Sequence, residues 1–512
     1  MVWFKRDLRV RDHQPLHTAS IAGPVLSLYC VEPSLLRAPD FSSRHWNFIA
    51  PALRELARNL DRAGAPLIIF HGEVLDALAQ LHSQAPFVLH SHAETGAQIT
   101  FGRDRAVARW ARENQIEWKE YPSGGVVRGL RDRNGWAKEW ERRISRELLP
   151  IPRLCRPSPL PRLTPTLDQL PSSKHLGLDS ETDLLTDLPT GESGAHFLLE
   201  SFLDHRGARY QREMSSPLTA FESCSRLSPH FAWGTLSLRE AAQRARQRVG
   251  ELRQTDFRLP HGERFLRGSL SSFDARLHWH CHFIQKLETE PAIEHHCFIR
   301  AFDDLRADGN DPERLAKWQT GTTGYPFIDA CMRALRHHGW INFRMRSMLV
   351  SFAAYDLWLD WRIFRDWLAR QFIDYEPGIH FSQLQMQSGT TGINTLRIYS
   401  PLKQSLDQDP KGAFISRWVP ELADLPAPLL HEPWKASQKI DYPPPVVEHT
   451  SAIREARARI STFRKEHQLW EAAREVAQKH GSRRSGMRQR GEPPKLPSKK
   501  RAQEGGQLTL FE

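Results

Sequence analysis

Three groups of residues in this chain could do chemistry. His278, His280, Cys281 and His282, followed by His295, His296 and Cys297, offer imidazoles and thiols, the donors that zinc and copper take. Their spacing matches no standard zinc module, so no metal is assigned. Trp340, Trp358, Trp361 and Trp367 gather part of an unusual total of 16 tryptophans into one stretch. Such a cluster either fills a core or surrounds a redox cofactor. In Ser225-Arg226-Leu227-Ser228-Pro229, hydroxyls stand where a helix begins. They can cap that helix, or with its backbone N–H groups they can cradle phosphates.

The elements that must position these groups fall into two kinds. Over residues 1–135, short apolar runs (Val2-Trp3-Phe4, then residues 25–29, 67–70 and 87–89) alternate with helical patterns at 46–63 and 103–113. That is the signature of an α/β domain with a parallel, Rossmann-like sheet, although no GxGxxG turn is present. Residues 136–193 are read as an interdomain linker, because 149–188 is rich in Pro, Ser, Thr and Asp. Residues 194–480 read as an all-α domain. Ile328, Cys331, Met332 and Leu335 mark one helix face, and Gly339 marks its stop. The longest helical pattern is expected over 341–374. Residues 481–512 form a basic, apolar-poor tail expected to be disordered.

Of 512 residues, 71 are Lys or Arg and 60 are Asp or Glu, giving a net charge of +11. That surplus favours a polyanionic partner through phosphate neutralisation, or serves solubility alone. Apolar runs long enough to span a membrane are missing. Lys5, Arg6 and Asp7 stand where a signal peptide would be apolar, and the six scattered cysteines suit reduced thiols. A cytoplasmic protein without a membrane partner is expected.

Longer motifs then carry a resemblance. The opening Val2-Trp3-Phe4-Lys5-Arg6-Asp7-Leu8-Arg9, the 225–229 segment with Gly234, Leu236 and Ser237, and Trp318-Gln319-x-Gly321-x-Thr323-Gly324-Tyr325-Pro326-x-Ile328-Asp329 recur in one order. They are followed by Gly339-Trp340, Arg344-x-Arg346, Asp360-Trp361-Arg362, Ile373-Asp374 and Arg397-Ile398-Tyr399-Ser400-Pro401. Phe414 to Leu422 and His431-Glu432-Pro433-Trp434 complete the series. The chain resembles the photolyase/cryptochrome family over most of its length to about His449.

The resemblance implies FAD in the helical domain. Its cofactor-binding set here is Tyr210, Cys224, Ser225, Arg226, Leu227, Ser228, Arg346, Asp374, Tyr375 and Glu376. Residues 225–228 would hold the diphosphate, and Arg346 and Asp374 match a salt-bridged pair beside the isoalloxazine ring. Trp279, His380 and Trp361 match catalytic positions. Arg276, Trp279, His280, Phe343, Arg344 and Gln404 match the face toward the DNA lesion. UV-damaged DNA is the implied partner, and an antenna chromophore of unknown identity is a possible second cofactor. The family branch with an iron–sulfur cluster uses four cysteines, and no comparable set stands here.

This sequence also departs from the family. The glutamate three residues before the lesion-stacking tryptophan is Arg276, and an Asn–Arg pair is Phe343-Arg344. His380 occupies the position facing flavin N5, where its titration near neutral pH could tune the flavin. Of the tryptophan electron chain only the middle member, Trp361, is kept. Leu384 stands at the flavin-proximal position and Asp308 near the surface one, leaving Trp358 or Trp367 as another route. The C-terminal Gln507-Leu508-Thr509-Leu510-Phe511-Glu512 resembles the peptide by which bacterial repair proteins dock on the DNA sliding clamp, with Gln507, Leu508, Leu510 and Phe511 as contacts. Two readings follow: a DNA-repair photolyase, favoured by charge, Trp279 and the tail, and a cryptochrome-type light receptor, favoured by Arg276 and Phe343.

Overall fold

A computed structural model describes residues 1–167, 169–178, 188–254, 261–393 and 395–481. The clamp-like residues Gln507, Leu508, Leu510 and Phe511 lie outside the described residues.

Five parallel strands form one sheet in the order β3-β2-β1-β4-β5. They are β1 (Val2–Phe4), β2 (Ser27–Val31), β3 (Leu67–His71), β4 (Leu89–His92) and β5 (Trp118–Tyr121). The apolar runs marked the first four to within a few residues. β5 was not anticipated: it is an edge strand whose Lys119 and Glu120 face solvent, so it carries no apolar run. Crossover helices Ser43–Ala63 and Gln98–Glu113 cover the sheet.

From Gly191 onward the described chain is predominantly helical, as expected for the second domain. The 136–193 segment opens with the helix Trp136–Ile144, whose Trp136 and Trp140 are buried beside His278 at 4.9 Å each. Leu154 and Leu163 of the same segment are also buried. Helix Pro326–His338 ends on Gly339, whose φ of +67° is the left-handed cap that glycine adopts without strain. The expected long helix over 341–374 is instead broken. Helix Phe343–Ser351 widens into a π-turn at Phe352–Asp356, and Trp358 takes a left-handed backbone (φ +57°) before helix Trp361–Gln371 begins. Apolar periodicity cannot reveal a one-residue insertion of this kind. Among the described residues the longest helix is His261–Thr289, 29 residues. No helix among the described residues is long and apolar enough to cross a membrane.

The two halves are packed closely. Gly234 (φ +66°) lets its backbone lie against Arg6 and Asp7, where a Cβ would stand 2.1 Å from the Arg6 carbonyl oxygen. Arg6 reaches Glu376 at 2.6 Å, and the Tyr375 hydroxyl donates to Asp40 at 2.6 Å.

Candidate functional site

A cavity of about 690 Å³ opens in the helical half. Helix His261–Thr289 presents Phe273, Arg276, Leu277, Trp279, His280 and Phe283 to it, the spacing of one helix face. Helix Phe343–Ser351 adds Phe343, Arg344, Arg346 and Ser347. Helix Pro377–Ser388 adds Ile379, His380, Gln383, Leu384 and Gln387.

The 224–228 loop forms another wall through Cys224, Ser225, Arg226 and Ser228. Arg226 holds a left-handed backbone (φ +60°), costly for a residue with a Cβ. Arg206 stabilises the loop from behind by donating to the carbonyls of Glu222, Cys224 and Ser225. The Trp340 indole N–H donates to Ser228 Oγ at 3.3 Å. Leu227 is fully buried in the core and does not line the cavity, its N–H on Ser225 Oγ.

Arg346 and Asp374 form a two-pronged pair, Nη1 to Oδ1 at 3.0 Å and Nη2 to Oδ2 at 2.9 Å. Arg346 also donates to the Ile341 carbonyl and lies 4.2 Å over the Phe372 ring. Tyr210 lines the cavity against Phe202, and burial pushes its phenol up to about 12. Arg276 neighbours Tyr210 and Cys224, and burial is the main force holding its guanidinium below the usual value.

The structure corrects the expectation for His380. Its Nε2 lies 2.9 Å from the Arg365 carbonyl oxygen, which can only accept, so Nε2 carries the proton and Nδ1 is a bare acceptor. Burial lowers its pKa to about 4, so it stays neutral near pH 7 rather than titrating there. His280 is likewise lowered to about 4 by burial.

Besides Leu227, two expected site residues lie off the cavity. Gln404 is buried at the start of helix Pro401–Gln408, away from the lining. Trp361 is wholly buried, with its indole N–H on Cys297 Sγ at 3.4 Å. Leu384 does line the cavity, and Trp358 bonds Asp308 through its indole N–H at 3.0 Å. Lining residues outside the quoted motifs include Asn342, Ser347, Gln383 and Gln387, and Arg397 and Tyr399 also line the cavity although their motif carried no site role. Gln383 and Gln387 follow His380 at helical spacing, a signal that could have found them. The histidine–cysteine cluster is scattered among packing roles. Among the described residues only Asp7, His13 and His92 bring three metal-type atoms together, and hydrogen bonds to Asp7 from both imidazoles account for that group.

The cavity suits a large polar ligand. Among the described residues, Asn342 Oδ1, Ser347 Oγ, Gln383 Nε2 and Gln387 Oε1 are buried on its wall without a hydrogen-bond partner. Such groups are expensive unless something pairs them. A hydroxyl-lined loop, a buried ion pair and unpaired amides around one volume of this size fit a dinucleotide with a heteroaromatic head.

A parallel α/β unit joined to a helical unit with such a cavity defines a two-domain, cofactor-binding class of protein. The family model described as "DNA photolyase" matches residues 1–129, and the one described as "FAD binding domain of DNA photolyase" matches 273–462. The chain is 30% identical over 484 residues to the deoxyribodipyrimidine photo-lyase of Escherichia coli (strain K12), covering 88% of this chain and 96% of that protein. It is 28% identical to a cryptochrome DASH of Gloeobacter violaceus, over 88% of this chain and 93% of the relative. A class III photolyase from Agrobacterium tumefaciens shares the fold, with a TM-score of 0.76 over 91% of this chain and 97% of that one at 24% identity. The chain belongs to the photolyase/cryptochrome family, and its cofactor is FAD.

Proposed function

We propose that this chain is a blue-light-driven photolyase that uses reduced FAD to split UV-induced pyrimidine dimers in DNA. The observation that carries this reading is that one cavity joins the Ser225–Ser228 loop and the Arg346–Asp374 pair to the aromatic faces of Trp279 and Phe343. A cofactor cradle and stacking surfaces for an unstacked base therefore share one space. We further assign the light-harvesting unit to 1–135, the connection to 136–193 and the cofactor unit to 194–480.

FAD, when bound, supplies a light-absorbing donor whose electron opens the dimer and then returns. The protein residues set the surroundings for that chemistry. Ser225 and Ser228 offer hydroxyls to the diphosphate. Arg346, fixed by Asp374, keeps a positive charge at the ring position and favours its anionic form. His380 offers an Nδ1 acceptor lone pair, its one ring proton being held on Nε2 by the Arg365 carbonyl. Trp279 and Phe343 provide faces for the lesion, and Arg344 adds charge beside them. The basic chain as a whole draws the DNA backbone.

A light receptor without repair is the second reading. It is favoured by Arg276, which lies against Tyr210 and Cys224 where the family places a lesion-reading glutamate. The deciding assay illuminates the reduced, flavin-loaded protein with oligonucleotides carrying a cyclobutane dimer or a (6-4) product. Lesion loss is measured by chromatography against a dark control. Loss of either lesion is the expected result, and persistence of both would overturn the photolyase reading in favour of the receptor. Arg276→Glu is expected to raise binding to dimer-containing oligonucleotide, and unchanged or weaker binding would count against this geometry of the lesion pocket.

A further inference from the structure

A groove of about 540 Å³ lies where helix His449–Glu466 turns back into helix Trp470–His480. The turn is tight. The Gln468 and Leu469 N–H groups donate to the Lys465 and Arg464 carbonyls, and Gln468 holds a left-handed backbone (φ +50°). That conformation is costly for a residue with a Cβ, and such strain gathers at functional sites. Leu469 is buried by the turn, whereas the next residue, Trp470, is left 65% exposed at the groove edge.

Ile299, Phe302 and Ile460 are buried beneath the groove and close its floor. What a ligand meets is therefore the rim. Arg457, Arg464 and Lys465 stand there with Ser461 and Gln468, and no carboxylate is among the described lining residues. Arg459, on the same helix, is bound to Asp308 and Glu455. Arg457, Arg464 and Lys465 have no such ion pair among the described residues, and Arg464 lies 5.8 Å over the Phe302 ring. Arg474, one turn into the second helix, lies 5.6 Å over the Trp470 ring. The acids next in sequence, Glu466 and Glu471, do not line the groove.

These neighbours narrow the ligand. Three unpaired cations repel a further cation and attract an anion. The exposed indole adds a second requirement, a flat face to cover it. A fatty carboxylate would need an open apolar floor, and this floor is filled by its own side chains. A nucleotide base on Trp470, with its phosphates on the cations, meets both requirements. Aromatic faces beside a cationic track hold single strands with little regard to sequence. In a duplex the bases already stack on one another, which leaves no face for Trp470.

We propose that this groove is a second nucleic-acid site, which takes a single strand of DNA with one base stacked on Trp470 and its phosphates on Arg457, Arg464 and Lys465. Leu396 lines both this groove and the flavin cavity, so the two adjoin through one residue. The site holds undamaged strand and does not depend on whether lesions are repaired.

The test is fluorescence anisotropy of a short, labelled, undamaged oligothymidylate titrated with the full-length, flavin-loaded protein. Trp470→Ala should weaken binding about tenfold, the loss of one stacked base. Its ring is exposed, so the fold should not depend on it, and an unchanged flavin spectrum checks this. Arg457→Ala combined with Lys465→Ala, both at exposed positions, should lower affinity and flatten the salt dependence. The slope of log K against log salt should fall by about 1.4 for two lost phosphate contacts. The basic stretch from Arg483 to Arg501 is common to all variants, so only differences between them are read. Duplex of the same sequence should bind Trp470→Ala and wild type alike. The proposal is overturned if Trp470→Ala binds the strand as wild type does, if it weakens duplex as much as strand, or if the charge variant keeps the wild-type slope.

Discussion

Removing either side of the Arg346–Asp374 pair should not cost the same. The Asp374 side chain is 3% exposed and both its oxygens are bound by Arg346, whereas the Arg346 side chain keeps 25% exposure. Arg346→Ala strands a buried carboxylate, a loss of about 3–5 kcal/mol for breaking a buried pair. The stacking on Phe372 adds ~0.5–1 kcal/mol. Asp374→Asn leaves a cation that still reaches water, the Ile341 carbonyl and the Phe372 face, and its amide oxygen still accepts one bond. That loss should be about 1–2 kcal/mol. Urea unfolding of the flavin-free protein measures both values without the ligand. Repeating it with FAD shows how much of each loss is retained in the complex. Because the partners touch, the double variant should fall short of additivity by about 1–3 kcal/mol. The reasoning fails if Asp374→Asn costs as much as Arg346→Ala, or if the two losses simply add.

Acid should unfold the protein well above pH 4. Burial holds His45, His92, His280 and His380 at about 4 and His230 at about 3, so the unfolded chain takes up those protons first as pH falls below 6.5. Asp329 and Asp356, pushed up to about 6 by burial, oppose this but are outnumbered by the histidines, so stability should fall as the pH drops from 6 toward 4. A urea midpoint that stays flat across that window would refute this. Gly234→Ala should cost about 2–4 kcal/mol, because the residue is left-handed and its Cβ would meet the Arg6 backbone. An unchanged unfolding midpoint would show that the two halves are not so closely apposed. Leu384→Trp places an aromatic ring at the cavity wall and should speed flavin photoreduction about tenfold, whereas Trp358→Phe should slow it by removing the indole on Asp308. Flash photolysis checks both, and unchanged rates would place the electron route elsewhere.

The sequence made parts of this molecule legible where a residue's type alone forces its place. Val2-Trp3-Phe4 had to be a buried strand because nothing polar interrupts it, and Gly339 had to end a helix because the chain turns left-handed there. β5 escaped because an edge strand exposes Lys119 and Glu120 and so alternates weakly. The break in the 341–374 pattern escaped because a π-turn keeps the apolar residues buried while shifting their phase by one. Family order grouped Tyr210, Ser225 and Arg346, and all three line the cavity, but order carries no direction. It could not tell that Gln404 sits off the cavity while Gln383 and Gln387 face it. Nor could it assign the His380 proton, which depends on the Arg365 carbonyl lying 15 residues earlier in the chain.

The departures from the family acquire a common physical sense in the cavity. Its lining sets five guanidiniums, Arg226, Arg276, Arg344, Arg346 and Arg397, against two carboxylates, Asp374 and Glu376. One carboxylate is spent on Arg346 and the other on Arg6. The two histidines on the wall, His280 and His380, are neutral. An arginine in place of a glutamate and a phenylalanine in place of an asparagine therefore act in the same direction. They remove directional acceptors and donors for a base edge and add positive potential and an aromatic face. On the photolyase reading, a site of that composition would recognise a bound nucleotide by phosphate charge and stacking, which depend little on base identity. Discrimination between lesions would then fall to the shape around Trp279 and Phe343, so a bulkier or more distorted lesion should be discriminated there by fit rather than by hydrogen-bond pattern.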